Sequence, residues 1–341
     1  MKALFSKKNQ QQIHLTSILF AVFVVGLGAY TRLKHAGLGC PDWPKCFENW
    51  IVHPNITMPA LTQEASQKAW IEMIHRYAAG ILCCKIVVLN GLAIYQKQNK
   101  GTLLLQSTAL VTCFQALFGM WTVTWRLHPL AVMPHLIGGL TITTLLTLSY
   151  HQRYTQKSET PIPSILKKTL LSLLCVLLIQ IILGGWTSAN YAALSCPDFP
   201  TCQGKWMTSM QGFIQGFSLP FGFDNYEGGV LSGEGRIGIH IAHRLGAMVC
   251  SLLIFIITQI TIVRRKDLPP RFLKMIAGLI SLFLLQITLG ILNVIWILPM
   301  TIAVGHNLIA VALFIHTATT YLLFEHKTET IEHLEPTWQY S

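Results

Sequence analysis

The sequence predicts an all-α integral membrane protein whose eight transmembrane helices form two tandem four-helix bundles, related by a pseudo-two-fold axis along the membrane normal. Three observations carry this prediction. Of 341 residues, 52% are hydrophobic and 11% are charged, where a typical soluble domain has about 25% charged. Eight apolar runs are long enough to cross about 30 Å of hydrocarbon at about 1.5 Å per residue. A set of motifs in the first half recurs, in the same order, in the second.

The apolar runs lie near 13–31, 69–95, 102–125, 130–150, 165–187, 237–263, 272–297 and 300–324. The first carries no small-residue cleavage site and reads as a retained helix, not a signal peptide. Links 96–101, 151–168 and 264–274, with Lys2, Lys7 and Lys8, hold most of the lysines and arginines. The positive-inside rule therefore places these links and both termini in the cytoplasm. Segments 32–68 and 188–236 then lie on the outer side. The net charge of +11 is spread over several links, so it is a topology signal, and nucleic acid is not an expected partner. With no Arg- and Ser-rich presequence, a bacterial inner membrane is expected over a mitochondrial one. Loop 203–236 carries Trp206, Phe213, Phe217 and Phe221 at near-helical spacing and is expected to lie in the interface over the second half.

Laying residues 13–150 over 165–324 reveals the repeat. Gly28-Ala29-Tyr30-Thr31 falls on Gly184-Gly185-Trp186-Thr187, CPDWPKC on CPDFPTC, and His75-Arg76 on His243-Arg244. Gln115 and Gly119 fall on Gln286 and Gly290, and His135 on His306. Four helices is an even number, so both halves enter the membrane in the same direction, which gives a parallel pseudo-two-fold. The expected division is 1–155, 156–325 and a cytoplasmic tail, 326–341.

Of nine cysteines, Cys83, Cys84, Cys113, Cys175 and Cys250 fall inside apolar runs and read as small apolar filler. Cys40 and Cys46, and likewise Cys196 and Cys202, sit in loops on the oxidising side, where disulfides persist. A Cys40–Cys46 and a Cys196–Cys202 disulfide are expected. Zinc is the competing use of such pairs, but the spacing is wide and no level histidine pair accompanies them.

His75, His135, His243 and His306 each lie a few residues past the outer boundary of a helix that runs inward, hence all at roughly 8–10 Å depth. Two imidazoles at one depth on facing helices can bind opposite sides of a single metal. Positions three and four residues on share the histidine's face. They are Ala78, Ala79, Gly138, Gly139, Gly246, Ala247, Ile309 and Ala310, which would leave flat space suited to a porphyrin. The alternative is close small-residue helix packing, with the histidines bonding across helices.

Glu72 is the only acidic residue of fourteen inside an apolar run, and intramembrane charge is a functional signal by default. It shares a face with His75, and a carboxyl in apolar surroundings there suits proton transfer. A di-iron site would need a second Glu-x-x-His pair and more glutamates than the runs hold. His240 replaces Glu72 in the second half, so the halves share a ligand set and differ in one reactive group. Arg76 and Arg244 are candidate partners for haem propionates, or else snorkel to headgroups. Lys85 reads as snorkelling. His35, His53 and His128 read as outer-loop surface residues, His14, His151, His326 and His333 as surface residues of cytoplasmic ends, and His316 as a core or interhelical residue. The tail after Phe324 reads as polar and loose.

These motifs together resemble the haem A synthase family over nearly the whole chain. The carriers are Thr31-Arg32-Leu33 with Ala36-Gly37-Leu38 and the Cys40–Cys46 loop, Glu72-x-x-His75-Arg76, Pro134-His135, Gly184-Gly185-Trp186-Thr187, His240-x-x-His243-Arg244 and Gly305-His306. The resemblance implies that haem b is a resident cofactor between His243 and His306. It implies that haem O is the substrate, bound between His75 and His135 beside a catalytic Glu72. One porphyrin methyl would be oxidised to an alcohol and then to a gem-diol that dehydrates to the formyl group of haem A. Haem O synthase, an electron donor, membrane lipid and a second copy of the chain are the expected partners. The rival readings are a diheme b-type electron-transfer cytochrome and a haem transporter or chaperone.

Overall fold

The computed structural model describes residues 6–52, 62–97, 99–156, 158–219 and 221–326. Among them, eight helices are long and apolar enough to cross a membrane, and they coincide with the eight runs. In chain order these are α1 (Lys7–Leu33), α2 (Gln63–Tyr95), α3 (Thr102–Thr124), α4 (Pro129–Tyr154), α5 (Ser164–Ala189), α7 (Gly233–Val263), α8 (Pro270–Ile295) and α9 (Met300–Leu323), with a short α6 (Met210–Gly216) before α7. Several helices begin ahead of their apolar run, because hydropathy marks only the hydrocarbon while a polar cap sets the true start. Thr62 Oγ1 accepts from Ala65 N and Ser232 Oγ from Gly235 N, each satisfying a first-turn donor. Proline sets other starts: Pro129 and Pro270 lie in the first turn of their helices, and Pro163 and Pro299 immediately precede theirs. Within the helices, hydroxyls such as those of Thr108, Thr143, Thr187 and Thr317 donate to the carbonyl four residues back, so they bring no unpaired donor into an apolar medium.

Helix contacts follow the repeat. In the first half α1 packs on α2 and α4, and α3 on α2 and α4; in the second α5 packs on α7 and α9, and α8 on α7 and α9. Between the halves α1 meets α9, α4 meets α5, and α4 meets α9. Exchanging α1 with α5, α2 with α7, α3 with α8 and α4 with α9 maps this set onto itself, as a two-fold requires. Each half keeps its own apolar core, away from the histidines: Leu82, Ile86, Leu89, Leu105 and Leu146 in the first, and Leu170, Leu173, Ile257, Phe272 and Leu279 in the second.

The all-α description has one small exception. Strand β1 (Ser158–Ile162) pairs in parallel with β2 (Phe324–His326), so link 151–168 is partly ordered and the chain past the last helix starts as a strand. Phe324 is fully buried there against Phe272, and Lys167 Nζ donates to the carbonyls of Tyr321 and Phe324. The tail beyond residue 326 lies outside the described residues, as do His53 and His333 and the side chain of His326.

Loop 203–236 does pack over the second half, with Trp186 Nε1 donating to Gly216 O of α6 at 2.8 Å. It also crosses to the first half, which the aromatic spacing did not foretell. Tyr226 N donates to Arg126 O, Arg126 Nη1 donates to Asp224 O, and the Tyr226 ring lies 4.5 Å from that of His128. His128 is therefore buried, not a surface residue.

Candidate functional site

The four histidines of the repeat meet as two pairs of nearly the same geometry. The rings of His75 and His135 have centroids 6.4 Å apart and planes at 81°. Those of His243 and His306 are 6.5 Å apart at 78°. Two metal–nitrogen bonds of about 2 Å plus two half-rings add to about 6 Å, so each pair is spaced to share one metal ion. Each pair is formed across its own half, between α2 and α4 in the first and α7 and α9 in the second.

Each imidazole is backed by a glycine from a neighbouring helix. A Cβ on Gly28 would stand 3.1 Å from His75 Cε1, and one on Gly119 3.3 Å from His135 Cε1. Gly184 stands in the same relation to His243, and Gly290 to His306, each at 3.1 Å. These four glycines served the sequence comparison only as alignment marks, yet they seat the rings.

The small residues beside the histidines do something other than expected. A Cβ on Gly138 would fall 2.0 Å from Gln115 Oε1, and one on Gly246 2.1 Å from Gln180 Oε1. Both spaces hold a glutamine amide, so they are not free for a flat ring. Gln115 Nε2 donates to His135 O at 2.7 Å, and Gln180 Nε2 donates to His243 O at 2.9 Å. His306 Nδ1 lies 3.2 Å from Gln286 O and its Nε2 lies 3.3 Å from Gln286 Nε2, so one glutamine addresses both ring nitrogens, and Gln180 Nε2 likewise lies 3.2 Å from His243 Nδ1; such contacts orient an imidazole. The Oε1 atoms of Gln115, Gln180 and Gln286 and the Nδ1 atom of His75 are buried with no partner. Unpaired polar atoms of this kind fit a site that takes a polar or metal-bearing ligand. Gln180 escaped the sequence reading, although a polar side chain one turn from Gly184 inside an apolar run was the available signal.

Glu72 and Arg76 are the next layer outward. Glu72 is buried, with Oε1 2.5 Å from Arg76 Nη2 and Oε2 accepting from Cys40 N at 2.9 Å. The carboxylate ties α2 to the Cys40–Cys46 loop. Arg76 Nη1 donates to the carbonyls of Asp42, Pro44 and Lys45. Arg244 does the same in the second half, donating to Cys196, Asp198, Pro200 and Thr201. Both guanidiniums, expected from sequence to meet propionates or headgroups, hold the inner edges of the disulfide loops. Their forked donors suit a ring of converging carbonyls as well as a carboxylate.

The loops themselves are congruent. Cys40–Cys46 and Cys196–Cys202 are disulfides with Cα atoms 4.9 and 4.6 Å apart, as expected over zinc. Asp42 accepts from Phe47 N and Glu48 N, and Asp198 from Gln203 N and Gly204 N. The halves differ behind them: His240, in place of Glu72, sets Nδ1 3.1 Å from Ala192 O. The remaining histidines divide. His316 contacts Met275 O of α8 as an interhelical residue, whereas His14 is fully buried against Leu146 O and Tyr150 and is not at a surface. Lys85 reaches Thr16 Oγ1 at 3.3 Å.

Residues 11–318 match the family model COX15-CtaA, described as cytochrome oxidase assembly protein. A heme A synthase of Shewanella oneidensis is 38% identical over 327 residues, covering 92% of this chain and 96% of its own. A heme A synthase of Wolbachia pipientis subsp. Culex pipiens is 24% identical over 326 residues, covering 87% and 92%. One of Halalkalibacterium halodurans is 27% identical over 207 residues, covering 58% and 65%.

Proposed function

The chain belongs to the COX15-CtaA family of cytochrome oxidase assembly proteins, and from that premise we propose that it oxidises haem O to haem A. The observation that carries the reading is the duplicated histidine pair with unequal surroundings: His75 and His135 beside Glu72, His243 and His306 beside His240. The buried carboxylate stands in one half only, where the Cys40–Cys46 loop and Arg76 hold it one turn from His75, and the relatives are named as synthases.

In this reading His243 and His306 hold haem b, their rings set by Gly184, Gly290, Gln180 and Gln286. That haem supplies one-electron transfer. His75 and His135 hold substrate haem O, whose porphyrin methyl is taken stepwise to the formyl group. Glu72 stands one turn before His75, on the same face, and is the group that accepts and returns protons there. Arg76 and the Cys40–Cys46 loop keep Glu72 in place and cover it from water. The disulfide loops face the periplasm of a bacterial inner membrane, with the basic ends of the helices in the cytoplasm. Haem O would reach the first half from haem O synthase, and haem b, held by His243 and His306, would exchange electrons with an external redox partner.

The test is conversion of haem O added to the purified protein, followed by pigment extraction. Haem A should form with the native chain and not with Glu72→Gln. Equal conversion by both would remove Glu72 from the chemistry, and no conversion by the native chain, with dioxygen present and with either an electron donor or an electron acceptor supplied, would remove the activity.

A further inference from the structure

At the end of the first half opposite the disulfide loops, a cavity of about 350 Å³ opens between α1, α4 and the α2–α3 link. Its walls carry Lys7, Lys100 and Arg153, the amides of Gln10 and Gln96, and Tyr154. No aspartate or glutamate occurs in 1–41 or 73–158, the segments that supply every wall. The positive charge therefore meets no countercharge from its own elements.

The second half shows what this place looks like when it is only structural. In the register fixed by Gly28 with Gly184 and by His135 with His306, the positions Gln10, His14, Gly101 and Arg153 correspond to Leu166, Leu170, Phe272 and Phe324. All four of these apolar side chains are fully buried, and Phe272 meets Phe324 edge to face at 5.1 Å. The first half has replaced that plug with polar groups and a glycine. Gly101 leaves room for Arg153, whose Cγ lies 3.1 Å from where a Cβ would be. Arg153 Nη2 donates to Thr102 Oγ1 at 3.2 Å, and the Arg153 guanidinium and Tyr154 hydroxyl are buried against each other with Arg153 Nε and Tyr154 Oη short of good hydrogen-bond geometry. His14, fully buried beneath Tyr154, adds an unpartnered Nδ1. Burying polar groups where the fold accepts leucine and phenylalanine costs stability unless a ligand completes them.

We infer that this cavity binds a phosphate-bearing anion, supplied in the membrane by the headgroup of an anionic phospholipid. A guanidinium with unspent donors matches phosphate oxygens, lysines at the rim add attraction, and a basic pocket between helix ends is a common form of lipid headgroup site.

Native mass spectrometry of the purified full chain in a neutral detergent tests this, with phosphatidylglycerol, phosphatidylcholine of the same acyl chains, glycerol phosphate and inorganic phosphate as probes. One phosphatidylglycerol per chain should be retained in preference to phosphatidylcholine. Retention should drop about fivefold in Lys100→Gln, as expected for one rim cation, and more in Arg153→Gln. Lys274→Gln, at the same end of the second half, should leave it unchanged. Displacement by glycerol phosphate or inorganic phosphate at comparable concentration would support phosphate recognition but assign the site to a soluble ligand. Equal retention of both lipids, or retention indifferent to Lys100→Gln and Arg153→Gln in folded protein, would overturn the inference.

Discussion

His35 and Tyr191 occupy the same place in the two halves of the repeat, and their rings stack on each other, with centroids 5.5 Å apart and planes 16° from parallel. Only residues beside a two-fold axis can touch their own counterparts, so the pseudo-axis passes between these rings. Both residues take a left-handed backbone, at φ 50° and 54°, just after the ends of α1 and α5. Arg32 of the first half breaks the symmetry. Its guanidinium lies 4.0 Å from the Tyr191 ring centre, and its Nη2 donates to the carbonyl of Ser188 at 2.6 Å. Ser188 is Arg32's counterpart, and its carbonyl belongs to the last turn of α5, where a cation is favoured.

Tyr191→Ala should therefore loosen the junction between the halves. Loss of the ring stack and the cation–π contact predicts about 1–3 kcal/mol, read as a lower midpoint of thermal unfolding in detergent. Tyr191→Phe should be neutral or slightly stabilising, because Tyr191 Oη is buried with no partner. A Phe variant as unstable as the Ala variant would mean that the hydroxyl, not the ring, holds the junction.

The two loop-holding arginines should differ in cost. Arg76→Leu strands the buried Glu72 carboxylate, a loss of about 3–5 kcal/mol for a broken buried pair. Arg244→Leu loses only bonds to loop carbonyls, since His240 replaces the acid, and should cost less. The double variant Arg76→Leu, Glu72→Leu should recover part of the loss, and a thermal-unfolding double-mutant cycle measures it. Additive effects would show that the ion pair contributes nothing of its own.

Much of this organisation was legible in the sequence, for definite reasons. A span must be long and apolar, so hydropathy found all eight long helices. A buried charge or a levelled histidine is costly enough to stand out, so His75, His135, His243 and His306 could be paired before any contact was known. What sequence spacing could not carry was the direction of side chains between helices. For Arg76 the sequence shows a charge that suits a propionate or a headgroup, and does not show the loop carbonyls it meets. Gly138 and Gly246 look like empty space in the sequence because nothing local says that Gln115 and Gln180 reach into them. His14 was assigned to a surface because hydropathy ends near it, although α4 covers it. Glycine packing against an imidazole leaves no periodic trace at all.

The Cys196–Cys202 loop should respond to acid. Thr201 Oγ1, with the backbone donors of Gly204 and Gln203, holds the half-buried Asp198 carboxyl down to about 2 from its ordinary 3.8. A carboxylate with a depressed value lends its support above the ordinary range and withdraws it as pH falls through the lowered one. Protection of the Gln203 and Gly204 amides from hydrogen exchange, corrected for intrinsic rate, should persist at pH 4 and fall toward pH 2. Asp198→Asn should remove that pH dependence, and a native loop equally protected across the range would contradict the assignment.

Haem retention separates the two histidine pairs from each other and from generic packing. If His243 and His306 hold the resident haem, His243→Ala and His306→Ala should each be purified without tightly bound haem, while His75→Ala and His135→Ala keep it and lose conversion of haem O. The glycines refine the test. Gly184→Ala places a Cβ 3.1 Å from His243 Cε1, so the ring must shift by a few tenths of an ångström. That should alter the low-spin haem spectrum without emptying the site. Gly28→Ala makes the same intrusion on His75 at 3.1 Å and should leave the resident haem spectrum untouched while slowing conversion; Gly80→Ala, which meets nothing within 4 Å, should do neither. Were Gly28→Ala to change the resident haem spectrum and Gly184→Ala to leave it alone, the resident haem would belong to the first half and the substrate to the second.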